Sequence, residues 1–98
     1  MKVNLYATFR QAVGAKSIDL DLPEVVTVQE MLGELLDAHP RLGALLVNDS
    51  GQLLRHVHIF INGRDIQYLD GGMATSLSPA DKIDIFPPVA GGAIPSLN

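Results

Sequence analysis

The sequence predicts an α+β fold in which one main helix packs on one face of a small mixed sheet. Several short segments alternate apolar and polar residues, which is the pattern of strands that are buried on one side only. One other segment, residues 27–36, places its apolar residues at helical spacing. Because a single helix covers only one face of a sheet, we expect the other face to be open.

The first two alternating segments predict an antiparallel hairpin. In residues 2–9 the inward side carries Val3, Leu5, Ala7 and Phe9. A break at residues 10–15 contains Gly14, and a second segment that ends at Pro23 follows. Its inward side carries Ile18, Leu20 and Leu22. We therefore expect the first strand to continue to Phe9 before the chain turns back near Gly14.

A helix is predicted to begin at Thr27, because Thr27 and Glu30 have the spacing of a capping box. Its apolar stripe consists of Val28, Met31, Leu32, Leu35 and Leu36. The helix should end before Pro40, since the residue that precedes a proline is disfavoured in the helical conformation. His39 lies near that end, where the helix dipole favours a positive charge. We interpret it as a helix-end residue in preference to a catalytic one.

The second half of the chain predicts a helical turn and three more strands. The turn covers residues 41–47 and places at the core edge Leu42, Leu45 and Leu46. A strand over residues 56–61 turns inward Val57, Ile59 and Ile61. Asn62-Gly63 is a strong hairpin signal, so a short strand over residues 64–67 should follow. After a loop through Gly71-Gly72, the last strand covers residues 82–86.

This order of elements is that of the β-grasp fold, with a four- to five-stranded mixed sheet. In such a fold the first and last strands lie side by side and parallel at the centre. The last strand should turn Ile83 and Ile85 inward and Lys82, Asp84 and Phe86 outward. Residues 1–86 would form this domain, and residues 87–98 would form a flexible C-terminal arm.

Composition excludes several classes of protein. A chain of 98 residues is long enough for one domain only. The absence of cysteine excludes disulfides, thiolate metal sites and a cysteine nucleophile. A net charge of −4 argues against binding to nucleic acid, and the longest apolar runs are too short to cross a membrane. No signal peptide is visible at the N-terminus, so we expect a cytoplasmic protein.

Few residues have the arrangement of a catalytic or metal site. No glycine-rich loop of the kind that binds phosphate is present. His56 and His58 could hold a metal if Asp84 supplied a third ligand. Polar residues on a solvated sheet face are the preferred interpretation, and we expect no metal. Asp19 and Asp21, like Asp84, are expected to face solvent, so no catalytic acid pair is predicted.

Three aromatic residues depart from the polar character expected of the open face. Tyr6, Phe60 and Phe86 all fall on the outward side of strands that neighbour one another in a β-grasp sheet. Exposed aromatic clusters are typical of surfaces that bind other proteins. We therefore predict a docking patch. The alternative is that residues 68–76 cover these side chains.

The C-terminal arm carries no charge from Pro87 to Asn98, and it contains three prolines and the pair Gly91-Gly92. Proline favours an extended backbone, and paired glycines give a backbone slim enough to enter a narrow channel. The arm is therefore suited to enter the active site of another protein.

Over essentially the whole domain the sequence resembles the small ubiquitin-like sulfur carriers of the MoaD/ThiS superfamily. The resemblance is strongest in Phe60-Ile61-Asn62-Gly63, in residues 77–83, and in Phe86-Pro87-Pro88-Val89-Ala90-Gly91-Gly92. Residues 64–75 are most similar to the CysO-like branch, which supplies sulfur for cysteine synthesis.

The resemblance implies that the chain is a carrier and not itself an enzyme. An E1-like partner would use ATP to adenylate the carboxylate of Gly92, which would then become a thiocarboxylate, and the chain itself would bind no cofactor. The residues predicted to bind the partner are Tyr6, Phe60, Phe86, Pro87, Pro88, Val89, Ala90 and Gly91. The sulfur acceptor would be a cysteine synthase-like enzyme or the large subunit of molybdopterin synthase.

Three other functions are open. The chain could be the small subunit of molybdopterin synthase, or a ubiquitin-like modifier that is joined to other proteins through Gly92. It could also be a binding module that does not need the arm at all.

The end of the arm departs from the family pattern. Mature carriers end at the second glycine, whereas Gly92 is here joined to Ala93. Three explanations are open: a protease, such as a JAB-type metalloprotease, cuts between Gly92 and Ala93; residues 93–98 are an addition to the natural chain; or this member has lost carrier activity. We favour the precursor.

Overall fold

The computed structural model of the chain describes residues 1–87. Its strands are β1 (Lys2–Leu5), β2 (Ser17–Asp19), β3 (Val26–Thr27), β4 (His58–Ile61), β5 (Arg64–Asp65), β6 (Ser76–Leu77) and β7 (Ile83–Phe86). Its α-helices are α1 (Thr8–Val13), α2 (Val28–Ala38) and α3 (Gly43–Leu46). Short 3₁₀ helices cover Pro40–Leu42, Ile66–Tyr68 and Gly72–Ala74.

The main sheet has five strands in the order β2-β1-β7-β4-β5. Strands β1 and β7 are parallel, with Val3 opposite Ile83 and Leu5 opposite Ile85. The pairs of β1 with β2, β4 with β7 and β4 with β5 are antiparallel. The first and last strands therefore lie together near the middle of a mixed sheet, as the sequence predicts for a β-grasp fold.

One hydrophobic core fills the space between the inward face of this sheet and α2. The strands contribute alternate residues that are fully buried, Val3, Leu5, Ile59, Ile83 and Ile85. The predicted stripe of α2 contributes Val28, Met31, Leu32 and Leu35. Each such side chain stabilises the fold by about 1.5–3 kcal/mol through removal from water. The helical turn adds Leu42 and Leu46, whereas Leu45 is 37% exposed and its predicted place in the core is wrong.

The first strand is shorter than the sequence predicts. It ends at Leu5, because Ala7 has a φ of 51° and breaks the extended backbone. Residues 8–13 form α1, which still delivers Phe9 to the core and ends at Gly14 with a φ of 80°. Burial of Phe9 thus satisfies the apolar alternation without a strand, and a helix connects β1 to β2.

The other turns follow their local chemistry. Asn62 and Gly63 have φ angles of 52° and 84°, the pair of positive values that a two-residue type I′ turn requires. Strand β5 stops at Asp65, because the Asp65 carboxylate accepts a hydrogen bond from the Gln67 backbone N–H and starts a 3₁₀ helix. The sequence analysis missed both β3 and β6, which pair with each other in a separate two-stranded sheet.

Both ends of α2 agree with the prediction. The Thr27 hydroxyl accepts a hydrogen bond from the Glu30 backbone N–H at 3.1 Å, and the Glu30 carboxylate accepts one from the Thr27 backbone N–H at 2.9 Å. The helix ends at Ala38, and the backbone N–H of His39 donates to the Leu35 carbonyl. His39 is therefore a helix-end residue. Within residues 1–87 no helix has the length and apolar character needed to cross a bilayer.

The capping box gives the first testable prediction. Replacing Thr27 with Ala should lower the free energy of unfolding by about 1 kcal/mol, because the Glu30 backbone N–H loses its acceptor. Circular dichroism recorded during urea unfolding measures this free energy. Thr8→Ala is the matched control: Thr8 is exposed at the start of α1, which has no side-chain cap, so its unfolding curve should stay within about 0.5 kcal/mol of the wild type. Equal losses in the two variants would contradict the prediction.

Candidate functional site

The structure brings the three predicted aromatic residues together on the outward face of the sheet. The rings of Tyr6 and Phe86 are stacked, with centroids 4.2 Å apart and planes 16° apart. Phe60 meets Phe86 edge-on, with centroids 5.3 Å apart and planes 78° apart. These geometries are the ones that aromatic pairs prefer. The three residues form the aromatic face.

Strand register explains why they meet. The parallel pairing of Leu5 with Ile85 brings the next residue along each chain segment, Tyr6 just after β1 and Phe86 in β7, side by side. On the other side of β7, Phe60 is paired with Asp84 and lies one diagonal step from Phe86. Three segments that are far apart in sequence thus contribute one ring each.

The aromatic face is less open than predicted. Phe86 is only 1% exposed, although it lies apart from the hydrophobic core. Tyr6 and Phe60 are partly exposed and flank it. The physical reason is that β7 has a neighbouring strand on each side, so large side chains on those strands close over its centre. A partner would therefore meet Tyr6 and Phe60, and Phe86 would support them from below.

Asp84 also differs from the prediction, because it is buried and does not face solvent. It is 1% exposed, and its Oδ1 accepts hydrogen bonds from Tyr6 Oη at 2.8 Å and from Asn4 Nδ2 at 3.1 Å. The Lys82 ammonium lies 3.9 Å from Oδ2. A buried carboxylate is costly unless it is paired and hydrogen-bonded. Here the same contacts that satisfy Asp84 hold the Tyr6 hydroxyl in place.

Arg10 fixes the Tyr6 ring from the other side. Its guanidinium carbon lies 4.8 Å from the ring centroid, and its Nε donates a hydrogen bond to the Leu5 carbonyl. Burial, followed by the hydrogen bond to Asp84 and the charge of that carboxylate, raises the pKa of Tyr6 above its ordinary value of 10.0; Arg10 acts in the opposite direction. The sequence analysis missed Arg10 because it treated residues 2–9 as strand, which hides a helical residue that reaches back over Tyr6.

The sequence analysis placed the two histidines of the 56–61 segment on one strand face, and this prediction is wrong. The Val57 backbone N–H donates a hydrogen bond to the Leu54 carbonyl, and this turn precedes β4, which begins at His58. His56 therefore lies before the strand, where it is exposed. The Nδ1 of His58 lies 2.9 Å from Oδ2 of Asp65, which is 7% exposed. In the described part of the chain no three His, Cys, Asp or Glu residues are grouped to hold a metal ion.

The arm begins directly beside the aromatic face. Pro87 follows Phe86 and is buried. The predicted partner-binding residues Pro88, Val89, Ala90 and Gly91, and the predicted processing site at Gly92 and Ala93, lie outside the described residues. Their roles stay predictions, as do those of the aromatic residues as partner contacts.

Comparison with known proteins identifies the family. The model of the ThiS family matches residues 3–92, which include nearly all of the domain and the glycine pair. The chain belongs to the ThiS family. The predicted resemblance to ubiquitin-like sulfur carriers and the predicted β-grasp fold are both confirmed.

The individual relatives are small carriers and modifiers. Small archaeal modifier protein 3 of Haloferax volcanii is 40% identical over 92 residues, which are 94% of this chain and 98% of that protein. The crystal structure of SAMP1 from the same organism has a TM-score of 0.82 at 28% identity and covers 94% of this chain and 98% of that one.

A third relative is a chain in the crystal structure of the Amycolatopsis orientalis BexX/CysO complex. It has a TM-score of 0.76 at 27% identity, covering 93% of this ThiS family member and 98% of that chain. The family member described here is therefore a ubiquitin-like protein of the modifier and sulfur-carrier group. Like these relatives, it is not itself an enzyme.

The hydrogen bond between Tyr6 and Asp84 gives the second prediction. In a Tyr68→Phe background, where Tyr6 is the only tyrosine, Asp84→Asn should lower the pKa of Tyr6 toward 10.0, because it removes a nearby negative charge. Ultraviolet absorbance during a pH titration measures the phenolate. Asp70→Asn, at an exposed position, is the control and should leave the titration unchanged.

The same pair has a consequence for stability at high pH. The folded state holds the Tyr6 proton more tightly than the unfolded state does. The stabilisation is therefore complete below the ordinary pKa near 10.0 and is lost as the pH rises through the higher folded value. A Tyr6 pKa that does not respond to Asp84→Asn would contradict the assignment.

Proposed function

We propose that this protein is a sulfur carrier that works from Gly92. After removal of residues 93–98, an E1-like partner adenylates the Gly92 carboxylate, which is then converted to a thiocarboxylate. The thiocarboxylate donates its sulfur in biosynthesis, with cysteine as the first candidate product. The observation that carries this proposal is the aromatic face that ends at Phe86, directly before an arm whose first six residues, through Gly91-Gly92, lie within the family match.

The geometry of the described residues supports a carrier that docks through the aromatic face and reacts at the end of the arm. The aromatic face offers a rigid docking surface, because one hydrogen bond to Asp84 and the contact with Arg10 fix Tyr6. From Pro87 to Gly92 the chain has six residues, which can span about 20 Å when extended. Docking through the face would therefore allow the arm to reach an active site well inside the partner.

The chemistry needs a partner because a free carboxylate is a poor electrophile. One oxygen of the Gly92 carboxylate would attack the α-phosphorus of ATP and displace pyrophosphate, which gives an acyl adenylate. The sulfur of a hydrosulfide donor would then attack the carbonyl carbon and displace AMP, which leaves the thiocarboxylate. In this scheme the partner binds ATP and the carrier binds no cofactor. Glycine at positions 91 and 92 would let the arm pass through a channel where a Cβ would collide.

Removal of residues 93–98 is part of the proposal. Gly92 has no free carboxylate while it is joined to Ala93, so the chain is a precursor until this bond is cut. Cleavage at a glycine pair at the end of a ubiquitin-like domain suits a JAB-type metalloprotease. We place all of these steps in the cytoplasm, without a nucleic acid or membrane partner.

The sulfur acceptor is assigned by resemblance. The resemblance to the CysO-like branch favours a cysteine synthase-like acceptor, and similarity to a chain of the BexX/CysO complex supports only that such a carrier binds another protein. The large subunit of molybdopterin synthase is the alternative acceptor, with this chain as the small subunit. The genes next to the one that encodes this protein would distinguish the two.

A second function is favoured by the relatives themselves. Small archaeal modifier protein 3 matches nearly the full length of this chain and is named as a modifier. The same adenylate could be attacked by a lysine amine of another protein, which would give an isopeptide bond at Gly92. Carrier and modifier functions share the activation step and differ in the nucleophile that follows it.

Activation gives the third prediction. Protein that ends at Gly92, incubated with the E1-like enzyme of the same organism, ATP and sulfide, should gain about 16 Da by mass spectrometry, because sulfur replaces one oxygen. The chain that ends at Asn98 should remain unchanged, and so should a chain from which Gly91 and Gly92 are deleted. Modification of the chain that ends at Asn98, or full function without the glycine pair, would sink the proposal.

Protein recovered from its own cells gives the fourth prediction. Its mass should correspond to a chain that ends at Gly92. If only chains ending at Asn98 are found, the precursor hypothesis is wrong. In extracts of the same cells, a thiocarboxylate form without isopeptide adducts supports the carrier, whereas Gly92–lysine adducts in tryptic digests support the modifier.

A further inference from the structure

A groove beside the aromatic face is not used by the proposed chemistry. It is about 400 Å³ in volume and lies between the β4–β5 hairpin and the following 3₁₀ helix. The residues that line it are Phe60, Gly63, Arg64, Asp65, Tyr68 and Leu69. Its lining thus includes two aromatic rings, a leucine, one cationic side chain and one carboxylate.

Tyr68 is the unusual wall of this groove. It is 81% exposed, the highest value among the large hydrophobic residues exposed in the described part of the chain. An exposed ring contributes little to the stability of the fold. Tyrosine is among the residues that most often dominate binding energy at protein interfaces. The ring of Tyr68 is therefore available to a partner.

The groove is built before any partner arrives. The Asp65 carboxylate accepts hydrogen bonds from the Gln67 backbone N–H at 3.0 Å and from Gln67 Nε2 at 3.2 Å. Its Oδ2 also lies 2.9 Å from His58 Nδ1, and Ile66 is buried below. These contacts fix the 3₁₀ helix that presents Tyr68. A preformed groove avoids the entropy cost of ordering a loop on binding.

One cationic side chain of the groove has no ion pair within the described residues. Asp65 is the only carboxylate among the lining residues, and both of its oxygens are engaged by Gln67 and His58. Arg64 is exposed and has no ion pair within residues 1–87. Lys82, which is 67% exposed, already lies 3.9 Å from Oδ2 of Asp84. Arg64 is therefore the side chain of the groove that can pair with a carboxylate of a partner.

The groove is continuous with the aromatic face. Phe60 belongs to both, because its ring contacts Phe86 edge-on and also lines the groove. A protein that covers Tyr6 and Phe60 would need to extend only past Phe60 to reach Tyr68. No rearrangement of the described residues is required.

We propose that this groove selects the adenylating partner. It takes an apolar side chain of that enzyme between Phe60 and Tyr68, and Arg64 pairs with an aspartate or glutamate of the enzyme next to that side chain. This inference rests on the proposed function, because it names the docking of the same E1-like enzyme. It adds the contact by which the enzyme distinguishes this carrier from other ubiquitin-like proteins.

The test measures binding of chains that end at Gly92 to the purified E1-like enzyme by calorimetry. Tyr68→Ala should weaken binding about tenfold, as expected for a central interface tyrosine. Arg64→Glu should weaken it by a similar factor of about ten, and Arg64→Lys by less. Because ion pairs are screened by salt, Arg64→Glu should also lose part of the salt dependence that the wild type shows.

Val25→Ala and Arg41→Glu are matched controls. Val25 is 68% exposed, Arg41 is exposed, and neither lines the groove, so both variants should bind like the wild type. Since Tyr68 and Arg64 are exposed, the thermal midpoints of their variants should not change. At saturating enzyme, all variants should form as much thiocarboxylate as the wild type, because docking and not chemistry is affected.

The outcomes separate this inference from the proposed function. If Tyr68→Ala and Arg64→Glu both bind the enzyme as tightly as the wild type and form thiocarboxylate normally, the proposed role of the groove is wrong and the carrier function stands. If the Val25→Ala and Arg41→Glu controls lose as much affinity for the enzyme as the groove variants, the proposed role of the groove is also wrong. Absence of any thiocarboxylate in the wild type overturns the carrier function itself.

Discussion

The parallel pairing of β1 with β7 is the interaction on which the rest of this structure depends. It joins the first and last strands, and on the inward face it buries four core residues in register, Val3, Leu5, Ile83 and Ile85. On the outward face the same register places Asn4 beside Asp84 and Tyr6 beside Phe86. A shift of one residue would exchange the two faces of a strand. Core packing and the aromatic face are therefore fixed by one alignment.

The parts of the fold that follow from local chemistry could be predicted from the sequence. The Thr27–Glu30 capping box and the Asn62-Gly63 turn are decided by residues that are adjacent or nearly so, and both were predicted correctly. Helix α1 could not be found in this way. Phe9 can be buried from a strand or from a helix, so the alternation alone does not distinguish the two. The positive φ at Ala7 that ends the strand occurs at a residue other than glycine, so the sequence contains no signal for it.

The candidate site shows the same limit. That Tyr6, Phe60 and Phe86 share a face follows from strand parity and was predicted correctly. The burial of Asp84 and Phe86 was not, because it depends on which strands flank β7 and on how large their side chains are. The groove at Tyr68 depends on a single carboxylate, that of Asp65, which ends a strand and starts a 3₁₀ helix. Such a change in direction leaves no periodic signal in a sequence.

The position of β7 also bears on how the protein is made. Strands β1 and β7 are separated by nearly the whole domain, so their pairing must wait until residue 86 has been synthesised, and long-range pairings of this kind form late. A chain that stops before β7 has neither the centre of its sheet nor Phe86 under Tyr6. Only a chain that has completed its fold therefore has both the aromatic face and the arm that follows it. The strand order thus makes a complete sheet the condition for forming the aromatic face beside the start of the arm.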